Sequence, residues 1–193
     1  MTDPTRIDWS GLFDEVVPEP PASSEEIDAF LTDLTRALSP DEIAEIKRAQ
    51  LNPWPESHQW HAGWRPFDPT IWRLPHVDLP ASYLSFLRWS RAPWVRKGER
   101  TLGHLGTTST REYLLSYEFP QYLPGVLPIG LDGGSIFAAF DLRLRPVHGE
   151  YPIIAVEAGV LDFEETRVIA SSFLELCTGS ISLREALRPR GAA

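Results

Sequence analysis

The chain has 193 residues, 42% of them hydrophobic, with seven Trp, nine Phe, one Cys and a formal net charge of −9. That is enough apolar material for one globular domain with its own core, and no apolar run approaches the roughly 18 residues that a membrane-spanning helix needs. The lone Cys177 excludes an intramolecular disulfide and a thiolate zinc site of its own, and it fits a reducing cytoplasm.

Residues 1–22 mix prolines, acids and a few aromatics. They read as an acidic, proline-rich arm, pinned at Trp9 or Phe13, in front of a single domain over 23–190. The opening MTDPTRIDWSG lacks the basic-then-apolar pattern of a secretory signal, so the expected location is the cytoplasm. The stretch SSEEIDAFLTDLTRAL places Ile27, Phe30, Leu31, Leu34 and Leu38 on one helical face, with Ser23 and Glu26 spaced as a capping box. In SPDEIAEIKRA a second helix starts, with Ser39 as cap, Pro40 at the first helical position and Glu42 at the third. Residues 52–78 hold five prolines and four tryptophans and have no periodicity, which predicts a long irregular segment fastened to the core by its tryptophans. A short helix follows Pro80, with Tyr83, Phe86 and Leu87 inward. REYLLSYEF (111–119), VLPIGL, SIFAAFDLR and YPIIAVEAG read as strands. FEETRVIASSFLELCTG reads as a helix burying Val168, Ile169, Ser172, Phe173, Leu176 and Cys177, and SLREAL as a last short helix capped by Ser182. Strands in series joined by short turns pair antiparallel, so the expected class is α+β, a twisted, mainly antiparallel sheet flanked by helices.

Charge is distributed unevenly. Residues 1–50 hold 12 acidic and 4 basic side chains, a net of −8, whereas residues 51–193 hold 15 and 14, a net of −1. Residues 88–111 run the other way, with Arg88, Arg91, Arg96, Lys97, Arg100 and Arg111 against Glu99 alone. Such a dipolar chain can attract a basic partner at its acidic end, or simply carry two solvated faces. The overall acidity argues against a direct grip on nucleic acid.

Sites of chemistry are sparse. Asp132-Gly133-Gly134 sits between two apolar runs, has no Lys-Ser/Thr pair and does not lead into a helix, so it reads as a hairpin turn and not a phosphate loop. Asp141 reads as a turn cap or a partner of Arg143 or Arg145. His58 and His61 have a spacing that on a helix could serve one metal, with His76 as the available third ligand, but prolines 53, 55 and 66 oppose a helix there. Cys177, with His104 or His148 as a base, lies on an apolar helix face and reads as a core residue. No catalytic, cofactor-binding or metal-binding residue is assigned, and no cofactor is expected.

Four pieces in order carry a resemblance: Leu79-Pro80-x-x-Tyr83-x-x-Phe86-Leu87; Leu127-Pro128-Ile129-Gly130 with Asp132-Gly133-Gly134 and Asp141; Tyr151-Pro152-Ile153-Ile154; and Ala170-Ser171-Ser172-Phe173-Leu174-Glu175. Over residues 79–177 the chain resembles the SUKH superfamily. It departs where Ser90-Arg91-Ala92-Pro93 replaces the usual Asn-Gly pair, and where Ser135 replaces a third glycine. The resemblance implies a twisted antiparallel sheet with helices and, for bacterial members, a non-catalytic immunity protein that neutralises a toxin, often a nuclease. The expected partner is therefore a protein, a basic toxin domain, and neither nucleic acid nor a membrane. The expected contact surface is Glu25, Glu26, Asp28, Asp33, Asp41 and Glu45, joined by Trp54, Trp60 and Trp64, since Trp is enriched among binding hot spots. Two rival readings are a regulatory or scaffolding module and a small metal-dependent hydrolase using His58, His61 and an aspartate.

Overall fold

The computed structural model of the chain describes residues 7–75 and 78–188. In chain order the elements are β1 (Glu15–Val17), α1 (Ser24–Thr35), α2 (Pro40–Ala49), α3 (Ala81–Trp89), β2 (Trp94–Lys97), β3 (Arg100–His104), α4 (Gly106–Ser116), α5 (Phe119–Tyr122), β4 (Val126–Leu131), β5 (Ile136–Asp141), β6 (Ile153–Glu157), β7 (Arg167–Ala170), α6 (Phe173–Thr178) and α7 (Leu183–Leu187). Among the described residues the seven strands form one sheet in sequential order, each neighbour antiparallel. This is the expected α+β class.

The apolar strands β4, β5 and β6 are internal to that sheet, and all six residues of β5 are buried. Phe137 packs on Tyr113, Tyr117 and Phe119 from α4 and α5. Phe140, three residues on and therefore on the opposite face, packs on Tyr83, Tyr151 and Phe173. The Asp-Gly-Gly segment is the β4–β5 turn. The Asp132 Oδ1 accepts from the backbone N–H of Gly134 at 2.8 Å and of Ile136 at 3.1 Å, and Gly133 takes φ +83°. Asp141 is buried and its carboxylate receives the Arg143 guanidinium at 2.7 and 2.8 Å.

The N-terminal segment is fastened to this body as far as it is described. Trp9 is buried, donates its Nε1–H to the Ser85 hydroxyl at 3.2 Å, and meets Phe86 and Phe173 edge-on. Residues 15–17 add the edge strand β1 beside β2. Ser90, at the departure from the family pattern, is buried, and its hydroxyl accepts from the Glu19 N–H and donates to the Glu19 carbonyl. The unusual sequence there is thus the seat of the N-terminal segment.

Three expectations are corrected, and one hairpin is new. Residues 111–119 are not a strand but most of α4 and the start of α5; Thr110, Arg111, Leu114 and Leu115 are buried at helical spacing. The helix expected from Phe163 to Gly179 is divided into a 3-10 turn, the edge strand β7 and the short α6. In it Ser172 is the N-cap of α6, accepting from the Glu175 N–H, and Val168 stands 65% exposed. The β2–β3 hairpin was not anticipated at all. Finally, Leu38 falls beyond the end of α1 at Thr35.

Candidate functional site

The acidic first quarter and the basic stretch 88–111 meet in space. Arg91 lies between Glu19 and Glu26 at 3.6 and 3.4 Å, Arg96 pairs with Glu15 across the β1–β2 ladder, and Lys97 reaches Asp14 at 3.2 Å. The most buried of these contacts is at Glu42. Its two carboxylate oxygens receive Arg36 at 2.7 and 2.8 Å and Arg111 at 2.8 and 3.1 Å, while the Ser39 N–H donates to it as well. Burial alone pushes Glu42 up, but the guanidinium groups of Arg111 and Arg36 and the Ser39 N–H outweigh it and hold it well below the usual carboxylate range. Arg111 also donates to the Asp33 carbonyl, so the α1–α2 corner is clamped onto α4.

This internal pairing divides the expected contact residues. Glu26 is committed to its capping box and to Arg91, and Asp33 to Arg36 at 2.6 Å. Glu25, Asp28, Asp41 and Glu45 are exposed and make no ion pair among the described residues. Of the expected contact carboxylates, those left without an ion pair therefore lie on α1 and α2.

Beside it, α1, α2 and α4 enclose a cleft of about 460 Å³. Ile46 and Leu115 form an apolar floor with Ala49 exposed at its edge, and Glu45, Glu112 and Glu118 stand around it with the Arg36–Glu42–Arg111 cluster at one side. Glu118 sits at the α4–α5 corner with φ +55°, a conformation that strains a side chain with a Cβ. Burial raises its pKa, opposed by the nearby Tyr122 hydroxyl.

The tryptophans of the 52–78 segment do not enter the core, contrary to expectation. Trp54 stacks on His58 at 4.4 Å and meets Trp60 edge-on at 4.7 Å, so the aromatics pack on one another and leave Trp60 55% exposed. Trp64 is half-buried. The segment is held from outside the core instead. Gln50 bonds both the N–H and the carbonyl of Phe67, Lys47 pairs with Asp68, and the Trp72 Nε1–H donates to Gln121 at 3.0 Å.

The histidines and the cysteine are placed as follows. The His61 Nδ1 lies 2.7 Å from the Trp54 carbonyl and 3.2 Å from the Asn52 amide nitrogen, so that nitrogen is engaged within the segment itself. His58 is engaged in the aromatic stack, and His76 lies outside the described residues. Among the described residues no group of three or more His, Cys, Asp or Glu side chains is arranged to hold a metal ion, and no helix is long and apolar enough to cross a membrane. Cys177 is buried, and burial pushes its thiol up, away from the reactive thiolate. His104, weighed from sequence only as a base for Cys177, is buried against Phe86 and Phe173, and neither ring nitrogen makes a well-formed hydrogen bond among the described residues.

A family model described as SMI1 / KNR4 family (SUKH-1) matches residues 72–178. That span is more than half of the chain and contains α3 through α6 together with β2 to β7; the chain belongs to this family. No curated protein matches it. The helices α1 and α2 and most of the tryptophan-bearing segment lie before the matched span.

Proposed function

We propose that this member of the SUKH-1 family acts by binding another protein, as a cytoplasmic immunity protein that holds and neutralises a basic toxin domain, a nuclease being the expected kind. Family membership is consistent with a non-catalytic immunity or regulatory domain. The observation that carries the toxin-binding reading is the exposed carboxylate set Glu25, Asp28, Asp41 and Glu45, left without ion pairs among the described residues while the neighbouring acids are neutralised internally. Uncompensated charge on one face steers a partner of opposite sign and raises the rate of encounter. The exposed Trp60 offers an aromatic anchor beside it in sequence, of the kind that dominates binding energy when desolvated.

The test is co-expression with any basic toxin domain that a neighbouring gene encodes. Growth rescue together with a one-to-one complex on size-exclusion chromatography is the expected result. Undiminished toxicity with both proteins present in soluble form would refute the reading. The regulatory alternative is equally consistent with family membership; it would be favoured by a stable complex with a cellular protein whose own activity is altered and not abolished.

A further inference from the structure

We propose that the cleft between α2 and α4 is the docking site for a basic amphipathic segment of the partner, whose apolar side chains lie on Ile46, Ala49 and Leu115 while its Lys or Arg heads reach Glu45, Glu112 and Glu118. The inference names the contact surface of the protein-binding reading and rests on that reading.

Charge complementarity selects the occupant. The cleft is lined by the carboxylates of Asp33, Glu42, Glu45, Glu112 and Glu118 against the guanidinium groups of Arg36 and Arg111. Both guanidinium groups are already bonded to Glu42, and Arg36 also to Asp33. Glu45, Glu112 and Glu118 are left with no ion pair among the described residues. An anionic ligand, a nucleic acid or an anionic lipid headgroup would meet net repulsion there. A small cation is a poor fit as well, because the floor between the three carboxylates is hydrocarbon and they form no metal-holding group. A segment with an apolar face and flanking cations satisfies both features at once, matching the apolar centre and polar rim of protein interfaces.

Two further observations agree. Glu118 is held at φ +55°, is half-buried and makes no ion pair among the described residues, so an arriving ammonium or guanidinium would relieve a carboxylate already partly out of water. The Arg36–Glu42–Arg111 cluster fixes α2 against α4, so the groove exists before the partner arrives and little ordering cost falls on binding. One wall, α4, lies inside the matched family span, and the other, α2, lies before it. The cleft is thus built jointly by the family domain and by the chain's own N-terminal helices.

The experiment uses the full chain labelled with nitrogen-15 and three synthetic helical peptides of equal length: one of Leu and Lys in amphipathic register, one of Leu and Glu, and one of Ser and Lys. The Leu/Lys peptide should bind, moving the amide resonances of Glu45, Ala49, Leu115 and Glu118. Ala49→Arg, a change at an exposed helix end, should weaken it by about tenfold or more, with circular dichroism and melting temperature unaltered. Glu112→Lys, exposed on α4, should do the same without touching the floor. Resonance changes centred elsewhere, equal binding of the Leu/Glu peptide, or equal binding of the Ser/Lys peptide would each overturn the assignment. In the co-expression assay the two readings separate. If Ala49→Arg still neutralises the toxin at wild-type strength, the cleft is not the docking site and toxin neutralisation stands. If the wild type gives no protection yet binds the Leu/Lys peptide in the cleft, toxin neutralisation fails and the groove stands.

Discussion

At the scale of single residues, His104 has the clearest energetic signature. Burial among aromatic rings drives its pKa from 6.5 down to about 3, with the Ile129 carbonyl opposing only weakly. Because the folded value lies below the unfolded one, the unfolded chain takes up a proton first as the pH falls, and stability drops with it. Between about pH 7.5 and about pH 5.5 this one group should cost roughly 1.4 kcal/mol. His104→Leu should abolish that loss and, by removing two unsatisfied buried nitrogens, raise stability near neutrality by about 1–2 kcal/mol. Urea unfolding across this pH range checks both statements. An unchanged pH slope in the variant would mean that the imidazole titrates normally. Glu42 acts in a lower window: its depressed value stabilises the fold above its unfolded pKa of about 4.5 and that contribution is lost as acid reaches it. Asp141 was legible beforehand as a partner for an arginine two residues on, since a sequence-local pair depends on little else. The buried roles of Arg100, His104 and Arg111 were not legible, because they depend on a hairpin and a helix that the hydropathy pattern concealed.

That concealment has a physical origin at the scale of elements. The residues of β3 that face inward are Arg100, Leu102 and His104, so the alternation expected of a half-buried strand is masked by two polar side chains at core positions. Arg100 belongs there because it caps α6, donating to the Leu176 carbonyl at 2.7 Å and to the Ile181 carbonyl at 2.9 Å, a contact between elements far apart in sequence. The α4 segment misleads in the opposite way, since Tyr113 and Leu115 alternate over a short window while the helical spacing emerges only when Thr110 is included. In β7 the β-branched pair Val168-Ile169 takes strand geometry because β6 offers it a ladder, and tertiary pairing overrides a helical pattern that ran on by coincidence into α6. The capped helices α1 and α2 and the apolar strands β4 to β6 were legible because cap chemistry and continuous apolar runs are local signals. The junction of β3 with α4 gives the element-scale prediction. Gly106 has φ +57°, and a Cβ there would fall inside the Arg91 carbonyl, whereas Gly133 has φ +83° with open space around it. Gly133→Ala should therefore cost about 1–2 kcal/mol, the conformational penalty alone. Gly106→Ala should cost more than about 4 kcal/mol or prevent folding, since backbone and not a flexible side chain blocks it. Similar melting temperatures for the two variants would contradict this picture of the junction.

For the whole molecule, the sequence suggested a dipole with an acidic head and a basic middle, and the fold closes most of it on itself. Ion pairs from Asp14, Glu15, Glu19, Glu26 and Glu42 take up Arg91, Arg96, Lys97 and Arg111 of the basic stretch, and α1, α2 and the adjoining cleft keep carboxylates without ion pairs among the described residues. The location of that remainder was not readable from composition, because it depends on which carboxylates the fold brings to which arginines. Its consequence is kinetic. Exposed charges govern encounter more than they govern the lifetime of a complex, and salt screens them over about 8–10 Å.

The most direct test of a basic partner steered by this surface is the association rate with the toxin domain, measured at low and moderate salt for the wild type and for a variant carrying Glu25→Gln, Asp28→Asn, Asp41→Asn and Glu45→Gln. The four carboxylates are exposed, and none of them is a cap side chain or an ion-pair partner among the described residues. The account predicts a wild-type rate that falls steeply with salt, and a variant rate at low salt reduced by about tenfold or more with a flattened salt dependence. Equal association rates for the two proteins at low salt would contradict it.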